Sequence, residues 1–266
     1  MVRKWSACIL LLSISLLYGC ALQRPAVFIP KKPPPPVMPK RRPQVALVLG
    51  AGGARGYAHL GVLSVLRRAG VPINLVAGAS VGSVIGALYA DNANWQQAYR
   101  AMMSAHFWDF ADISAIPHLS GIMTGYHLEY FLLTHLRSTA FRDLKVPLVI
   151  VTTNLKTGEK YVIRSGPVAP AAAASSSIPG LVQPPELYGY TLVDGGVVDP
   201  IPVDVVEQYH PKLIIAVDID RQISPLMPIT NVGILSRSIG IMGHKLSILS
   251  AQKADVFIFP QLSQSS

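Results

Sequence analysis

At Gly78-Ala79-Ser80-Val81-Gly82 the chain must pass from strand to helix within a single turn, and few architectures accept that junction. Before it stands Ile73-Asn74-Leu75-Val76-Ala77, a short and largely apolar β-prone run that reads as a buried strand. After it, Val81 to Ala90 is apolar and rich in small residues, which reads as a packed helix. A serine at this corner has its hydroxyl pushed out of the sheet, and small neighbours let the turn close. The helix behind it aims N–H groups and a positive dipole end at the same spot, where an oxyanion could develop. The G-x-S-x-G pattern also arises in plain glycine-rich turns, so the motif alone leaves both readings open.

The same plan occurs just upstream. Val45-Ala46-Leu47-Val48-Leu49 reads as a buried strand and runs into Gly50-Ala51-Gly52-Gly53-Ala54-Arg55-Gly56. A helix pattern follows, with Ala58, Val62, Val65, Leu66 and Ala69 at helical spacing and Arg67-Arg68 near its end. Such a loop presents bare backbone N–H groups to an anion. Strands are predicted at 44–49, 73–77, 146–152, 160–164, 190–193, 213–218 and 255–259. Helices are predicted at 56–69, 81–90, 94–104, 125–136, 168–175, 203–208 and 232–251. This alternation predicts an α/β fold with a largely parallel sheet and helices on both faces. By length, residues 44–266 make one domain.

Downstream, Leu192-Val193-Asp194-Gly195-Gly196 ends a short strand with a carboxylate and two glycines. Asp-Gly is also a common turn dipeptide, so its meaning depends on the serine turn. A nucleophile, a donor-rich loop and a carboxylate are the minimum set for acyl transfer. Asp199-Pro200 reads as a turn or cap ahead of Pro202 to Glu207, since the proline fixes the chain there. Nucleotide readings fit poorly. From Gly50 and Gly52 the third glycine of G-x-G-x-x-G falls on Arg55, and no acidic residue follows the second strand. A P-loop would need Gly-Lys-Ser/Thr, which does not follow.

Taken together these blocks resemble the bacterial branch of the patatin-like phospholipases. The resemblance covers nearly all of 44–260. It includes Leu47 to Gly56, Ala58-His59-Leu60-Gly61-Val62-Leu63 and the serine turn. It continues through Pro147 to Leu155, Ala174-Ser175-Ser176-Ser177-Ile178-Pro179-Gly180, and Leu192 to Pro202. One departure is Ala51, where the family usually has glycine; it leaves Gly52 and Gly53 as the close-approach positions. The resemblance implies a three-layer α/β/α fold with a mostly parallel central sheet, and a serine lipid acyl hydrolase without cofactor or metal. It implies a Ser–Asp dyad, with Ser80 as nucleophile and Asp194 as base, working through an acyl-enzyme. The N–H groups of Gly52, Gly53 and Ala54 would form the oxyanion hole, supported by Arg55. Gly78, Gly82, Gly195 and Gly196 would shape the two turns, and the substrate would be a phospholipid or another lipid ester. A free aspartate, with a pKa of about 4, is a poor base for a hydroxyl. The dyad therefore calls for a buried Asp194 with raised pKa.

The N-terminus has a different character. Arg3 and Lys4 precede the apolar run Ala7 to Leu17 and Leu17-Tyr18-Gly19-Cys20. Residues 1–19 read as a signal peptide, with an apolar core too short for a comfortable span. Leu-x-Gly-Cys resembles the bacterial lipoprotein box, which would make Cys20 the lipidated first residue. The other cysteine, Cys8, lies in the leader, so the mature chain would hold no disulfide. Residues 20–43, with Pro33-Pro34-Pro35-Pro36, read as an extended, basic tether between membrane and domain. Eight of the 23 basic residues lie in 1–43 with no acid, leaving 15 against the 14 acids in the rest. The net charge of +9 therefore sits in a tail that suits an anionic bilayer, and no nucleic-acid partner is implied. The expected location is the cell envelope, on the periplasmic face of the outer membrane of a Gram-negative bacterium.

Three readings of the remainder stay open. Residues 102–128 are apolar but poorly periodic, which suits either the rim of an acyl-chain site or ordinary core and loop. The seven histidines lack metal-ligand spacing and read as surface or packing residues. Alternatives to the dyad are a Ser-His-Asp esterase, using His210 or His244, and a non-catalytic lipoprotein that binds lipid or a partner.

Overall fold

Val45–Leu49 (β1) contains no polar residue because both its faces are covered. Leu47 and Leu49 enter one core, and Ala46 and Val48 the other. The computed structural model describes residues 29–118, 121–219 and 229–261. In it β1 lies between Ile73–Ala79 (β2) and Leu213–Val217 (β9), parallel to both. β2 pairs in parallel with Leu148–Asn154 (β5), and β9 with Val256–Ile258 (β10). Beyond β5 the sheet turns antiparallel. Lys160–Ile163 (β6) and Tyr190–Val193 (β8) both pair with β5, and Glu186–Leu187 (β7) closes the edge on β8.

Helices Tyr57–Arg68 (α1), Val81–Ala90 (α2), Trp95–Ser104 (α3), Tyr126–His135 (α4) and Val168–Ser175 (α5) cover one face. They supply Leu63, Ile85, Leu88, Leu132 and Ala171 to the larger core. The other face packs Ile201, Val203 and the short helix Asp204–Glu207 (α6) onto Ala46, Ala77 and Val149. A long helix, Asn231–Ala251 (α7), runs beside the turn that follows β8. The result is the α/β/α layering around a mostly parallel sheet that the sequence predicts.

The structure adds detail to the predicted elements. Within the irregular stretch 102–128 it places a 3-10 turn at Phe107–Asp109 and a small antiparallel hairpin, Ile113–His118 (β3) with Gly121–Met123 (β4). The register shift between Ile113 and His118 breaks the two-residue alternation that would have marked a strand. The proline-rich segment also differs from a free spacer. Ser165 Oγ donates to the Pro34 carbonyl at 2.7 Å and Val37 N–H to the Arg164 carbonyl at 3.0 Å, while Ile29 and Val37 pack on the core. Arg42 Nε donates to the His210 carbonyl, and Lys212 N–H to that of Pro43 at 3.1 Å. A polyproline run makes no internal hydrogen bonds, so its carbonyls are open to such donors. From Ile29 onward this segment lies along the domain.

The sheet and α2 meet without intervening side chains. A Cβ on Gly82 would stand 2.0 Å from the Leu49 carbonyl oxygen, and one on Gly78 2.5 Å from the Gly82 backbone. Backbone on both sides leaves no flexible atom to give way. Gly82→Ala is therefore expected to destabilise the domain by about 3 kcal/mol or to prevent folding, read by denaturant unfolding against an Ala substitution at the uncrowded Gly61.

Candidate active site

Three turns converge at the C-terminal ends of β1, β2 and β8. The turn after β2 carries Ser80 at φ 53°, a left-handed conformation costly for any residue with a Cβ. Its frame is over-determined. Ser80 N–H donates to Ser175 Oγ at 2.9 Å, and Ser175 Oγ in turn donates to the Val151 carbonyl at 2.6 Å. From below, Ser83 Oγ donates to the Ser80 carbonyl at 2.7 Å. Ser80 thus stands as N-cap of α2, where the first N–H groups have no acceptor within the helix.

The turn after β8 brings up Asp194. Its backbone is pinned on both sides: Asp194 N–H donates to the Ser177 carbonyl at 2.9 Å, and Thr153 Oγ1 donates to the Asp194 carbonyl at 2.8 Å. One carboxylate oxygen accepts the Ser80 hydroxyl at 2.6 Å, and the other accepts Gly196 N–H at 2.7 Å. Serine and aspartate, separated by 114 residues, are thus in direct contact and both buried. Burial without a cation pushes the Asp194 pKa up to about 6, against the opposing pull of the Ser80 and Gly196 donors. This is the raised basicity that a carboxylate facing a hydroxyl requires.

The glycine loop after β1 forms the third wall. Gly50 and Ala51 are tied by their N–H groups to the Val217 and Pro200 carbonyls. Ala51 keeps a negative φ, so its Cβ costs nothing, and that Cβ lies 2.9 Å from where one on Gly196 would stand. Gly53 and Ala54 open a 3-10 turn, closed by Arg55 N–H on the Gly52 carbonyl at 3.2 Å. Helix-opening N–H groups lack internal acceptors, and both residues are exposed on the wall that Ser80 shares. Arg55, half-buried, sits just behind them.

Two of these turns, the serine turn at Ser80 and the glycine loop at Gly53 and Ala54, border a cavity of about 540 Å³. Its walls are apolar, from Val84 on α2, Met102 on α3, Phe110, Leu128 on α4, and Leu181 and Val182. The segment 102–128 therefore contributes directly to the space beside Ser80. A hydroxyl on a carboxylate, N–H donors alongside and an apolar chamber can together support attack on the ester of a long acyl chain.

Several contributors had no distinct signal in the sequence. Ser175 and Thr153 act only by anchoring backbone. His59 is fully buried on α1, its Nε2 2.9 Å from the Gly50 carbonyl, and burial lowers its pKa to about 4. It is therefore neutral and fixes the glycine loop. Asp199 is no simple cap: it is buried against Lys160 Nζ at 2.5 Å, and Lys160 also reaches Asp204 at 2.6 Å. Among the described residues no histidine hydrogen-bonds Ser80 or Asp194, and no group of His, Cys, Asp and Glu could hold a metal ion. Cys20 and the leader 1–19 lie outside the described residues.

Comparison with known proteins identifies the family. The sequence profile described as patatin-like phospholipase matches residues 47–206, so the chain belongs to that family. An uncharacterized NTE family protein of Mycobacterium tuberculosis is 35% identical over 183 residues, 67% of this chain and 49% of that one. "Lysophospholipase NTE1" of Mycosarcoma maydis is 36% identical over 180 residues, 66% of this chain and 10% of that one. The chain thus spans about half the length of the mycobacterial relative and a small part of the fungal one. VipD from Legionella pneumophila shares the fold, with a TM-score of 0.51 at 14% identity over 74% of this chain and 52% of that one.

The raised pKa has a consequence for stability. Below about pH 4 Asp194 is protonated in folded and unfolded chains alike, and it costs nothing. As the pH rises through about 6 the unfolded carboxylate ionises first, so the folded state loses stability up to a plateau. Asp194→Asn keeps the shape and removes that cost. It should be more stable than wild type by about 2–3 kcal/mol at pH 8, with the gain shrinking toward pH 4. Urea unfolding at the two pH values measures it; a gain independent of pH would contradict an ionised, uncompensated Asp194.

Proposed function

We propose that the protein is a serine lipid acyl hydrolase of phospholipase A or lysophospholipase type, acting through a Ser80–Asp194 dyad and an acyl-enzyme. The observation that carries the reading is the 2.6 Å hydrogen bond to a buried Asp194 from the Oγ of Ser80, which lines an apolar cavity. Ser80 Oγ attacks the ester carbonyl while Asp194 takes its proton. The oxyanion so formed is met by N–H groups of Gly52, Gly53 and Ala54, with Arg55 holding their loop. Collapse returns the proton from Asp194 to the departing alcohol and leaves the acyl group on Ser80. Water then attacks the acyl-enzyme, giving its proton to Asp194, and the fatty acid leaves as Ser80 regains its hydrogen. The N–H donors work best in the space that the acyl chain keeps dry.

Both Asp194 oxygens are already occupied by Ser80 and Gly196, which favours the dyad over a triad through His210 or His244. A purely binding lipoprotein would have no use for the strained Ser80 or the uncompensated Asp194. Ser80→Ala should lose several orders of magnitude in esterase rate, and a fluorophosphonate should label Ser80 in the wild type. Asp194→Asn should be nearly as damaging, with His210→Ala and His244→Ala close to wild type. kcat/KM should fall tenfold per pH unit below about pH 6, where Asp194 gains its proton. A histidine variant as inactive as Ser80→Ala would replace the dyad with a triad.

We also infer that the mature protein starts at an acylated Cys20, anchored at the periplasmic face of an outer membrane. The support is Leu17-Tyr18-Gly19-Cys20 followed by Ala21, with a basic proline-rich stretch behind it. Ile29, nine residues beyond Cys20, packs on the domain, so this anchor would hold the enzyme close to the bilayer. Cys20→Ser should release the enzyme from membranes or stall its processing. Normal processing and unchanged fractionation would overturn the anchor.

A further inference from the structure

The helix α7 is amphipathic in the inverse sense. Small residues face the domain: Ser247 is buried, Ser250 Oγ donates to Asp199 at 3.3 Å, and Gly243 lies opposite the Gly196 carbonyl, with the larger Ile239 and Leu246 part-buried. Gly243, Ser247 and Ser250 sit at i, i+4 and i+7, on one side of the helix. On the other side two rows repeat every seven residues, Ile234, Ile241, Ile248 and Leu235, Met242, Leu249. All six are exposed, from 40% at Ile241 to 62% at Leu249. A helix designed to face water carries polar residues there and buries its large apolar ones.

We propose that this outer face of α7 is a docking surface for an anionic phospholipid bilayer, which presents substrate to the cavity beside Ser80. The inference rests on the lipid-hydrolase reading for its purpose, though not for its geometry. Three observations select a bilayer as the occupant. The helix contains Arg237 and Lys245 and no acidic residue, and Lys245 is exposed within the apolar stripe, where its stem can lie on lipid and its ammonium reach a phosphate. Leu235 lies against Gly180, between Ile178 and Leu181 of the cavity wall, so the stripe runs up to the cavity. Phe107, on another part of the same wall, is exposed and packs edge-on against an equally exposed Trp108. No described helix is long and apolar enough to cross a membrane, so α7 would lie on the bilayer rather than span it.

The test compares full chains that all carry Cys20→Ser, so that acylation does not mask weaker binding. Ile234→Ser/Ile241→Ser/Ile248→Ser changes three exposed side chains outside the cavity. Vesicle flotation is measured on phosphatidylcholine alone and with phosphatidylglycerol added, alongside hydrolysis of a water-soluble short-chain ester and of vesicle phospholipid. The expected result is anionic-vesicle binding by the parent, at least tenfold weaker binding by the triple variant, and vesicle hydrolysis falling in step. Soluble-ester hydrolysis should stay within twofold, which also shows that the variant is folded. Lys245→Glu should lose the preference for anionic vesicles. Equal binding and equal vesicle hydrolysis by parent and variant would overturn the proposal. So would a parent dimer by analytical ultracentrifugation that the variant loses with vesicle binding unchanged, since a second copy would then cover the stripe. Absence of ester hydrolysis in the parent, with binding intact, would instead overturn the enzymatic reading and leave the surface standing.

Discussion

Everything at the site depends on how closely α2 approaches the ends of β1 and β2. Gly78 and Gly82 let the backbone of the helix's first turn rest on the Leu49 and Gly50 carbonyl region with no side chain between. That contact forces Ser80 into its left-handed conformation and lifts its hydroxyl above the sheet. It also brings the glycine loop alongside, since a Cβ on Gly56 would run into Val81. The conformational cost at Ser80, of order 1–3 kcal/mol, is borne by two large cores, by the bond that Ser80 N–H donates to Ser175 and by the one that Ser83 donates to the Ser80 carbonyl.

Much of this was legible in the chain. Buried parallel strands leave unbroken apolar runs, so β1, β2 and β9 stood out, and the helices behind them followed from periodicity. Ser80, Asp194 and the glycine loop were legible because each lies where a strand ends in a turn that only small residues permit. What escaped was of another kind. Strands as short as Glu186–Leu187 have no period to detect. Ser175, Thr153 and His59 work through hydrogen bonds to backbone outside their own elements, and nothing local marks such a partner. The segment 29–43 has the composition of a free spacer, yet its exposed carbonyls and Val37 find the domain.

The inverse pattern of α7 belongs with these misses. Its apolar residues predict a helix correctly, because any covered face gives helical spacing. The pattern carries no sign of which neighbour covers the face. In the structure Gly243, Ser247 and Ser250 lie on the side toward the Asp194 turn, while six large apolar side chains stay exposed on the opposite side.

The turn after β8 carries two buried carboxylates five residues apart, and the fold treats them oppositely. Burial pushes both upward in pKa, but Asp199 faces the Lys160 ammonium at 2.5 Å, which pulls against that rise and is itself held above its ordinary value by Asp199 and Asp204. Asp199 is thereby a compensated charge that ties β6 to the turn and, through Ser250, to α7. Asp194 has only a hydroxyl and one N–H, which orient it without neutralising it, and it remains near 6. A cation at hydrogen-bonding distance would have pulled against the rise at Asp194 and lowered its affinity for the serine proton. The separation of Lys160 from Asp194 is thus as much a part of the base as the carboxylate itself, because it lets one turn hold its shape through one aspartate and leaves the other free to take a proton.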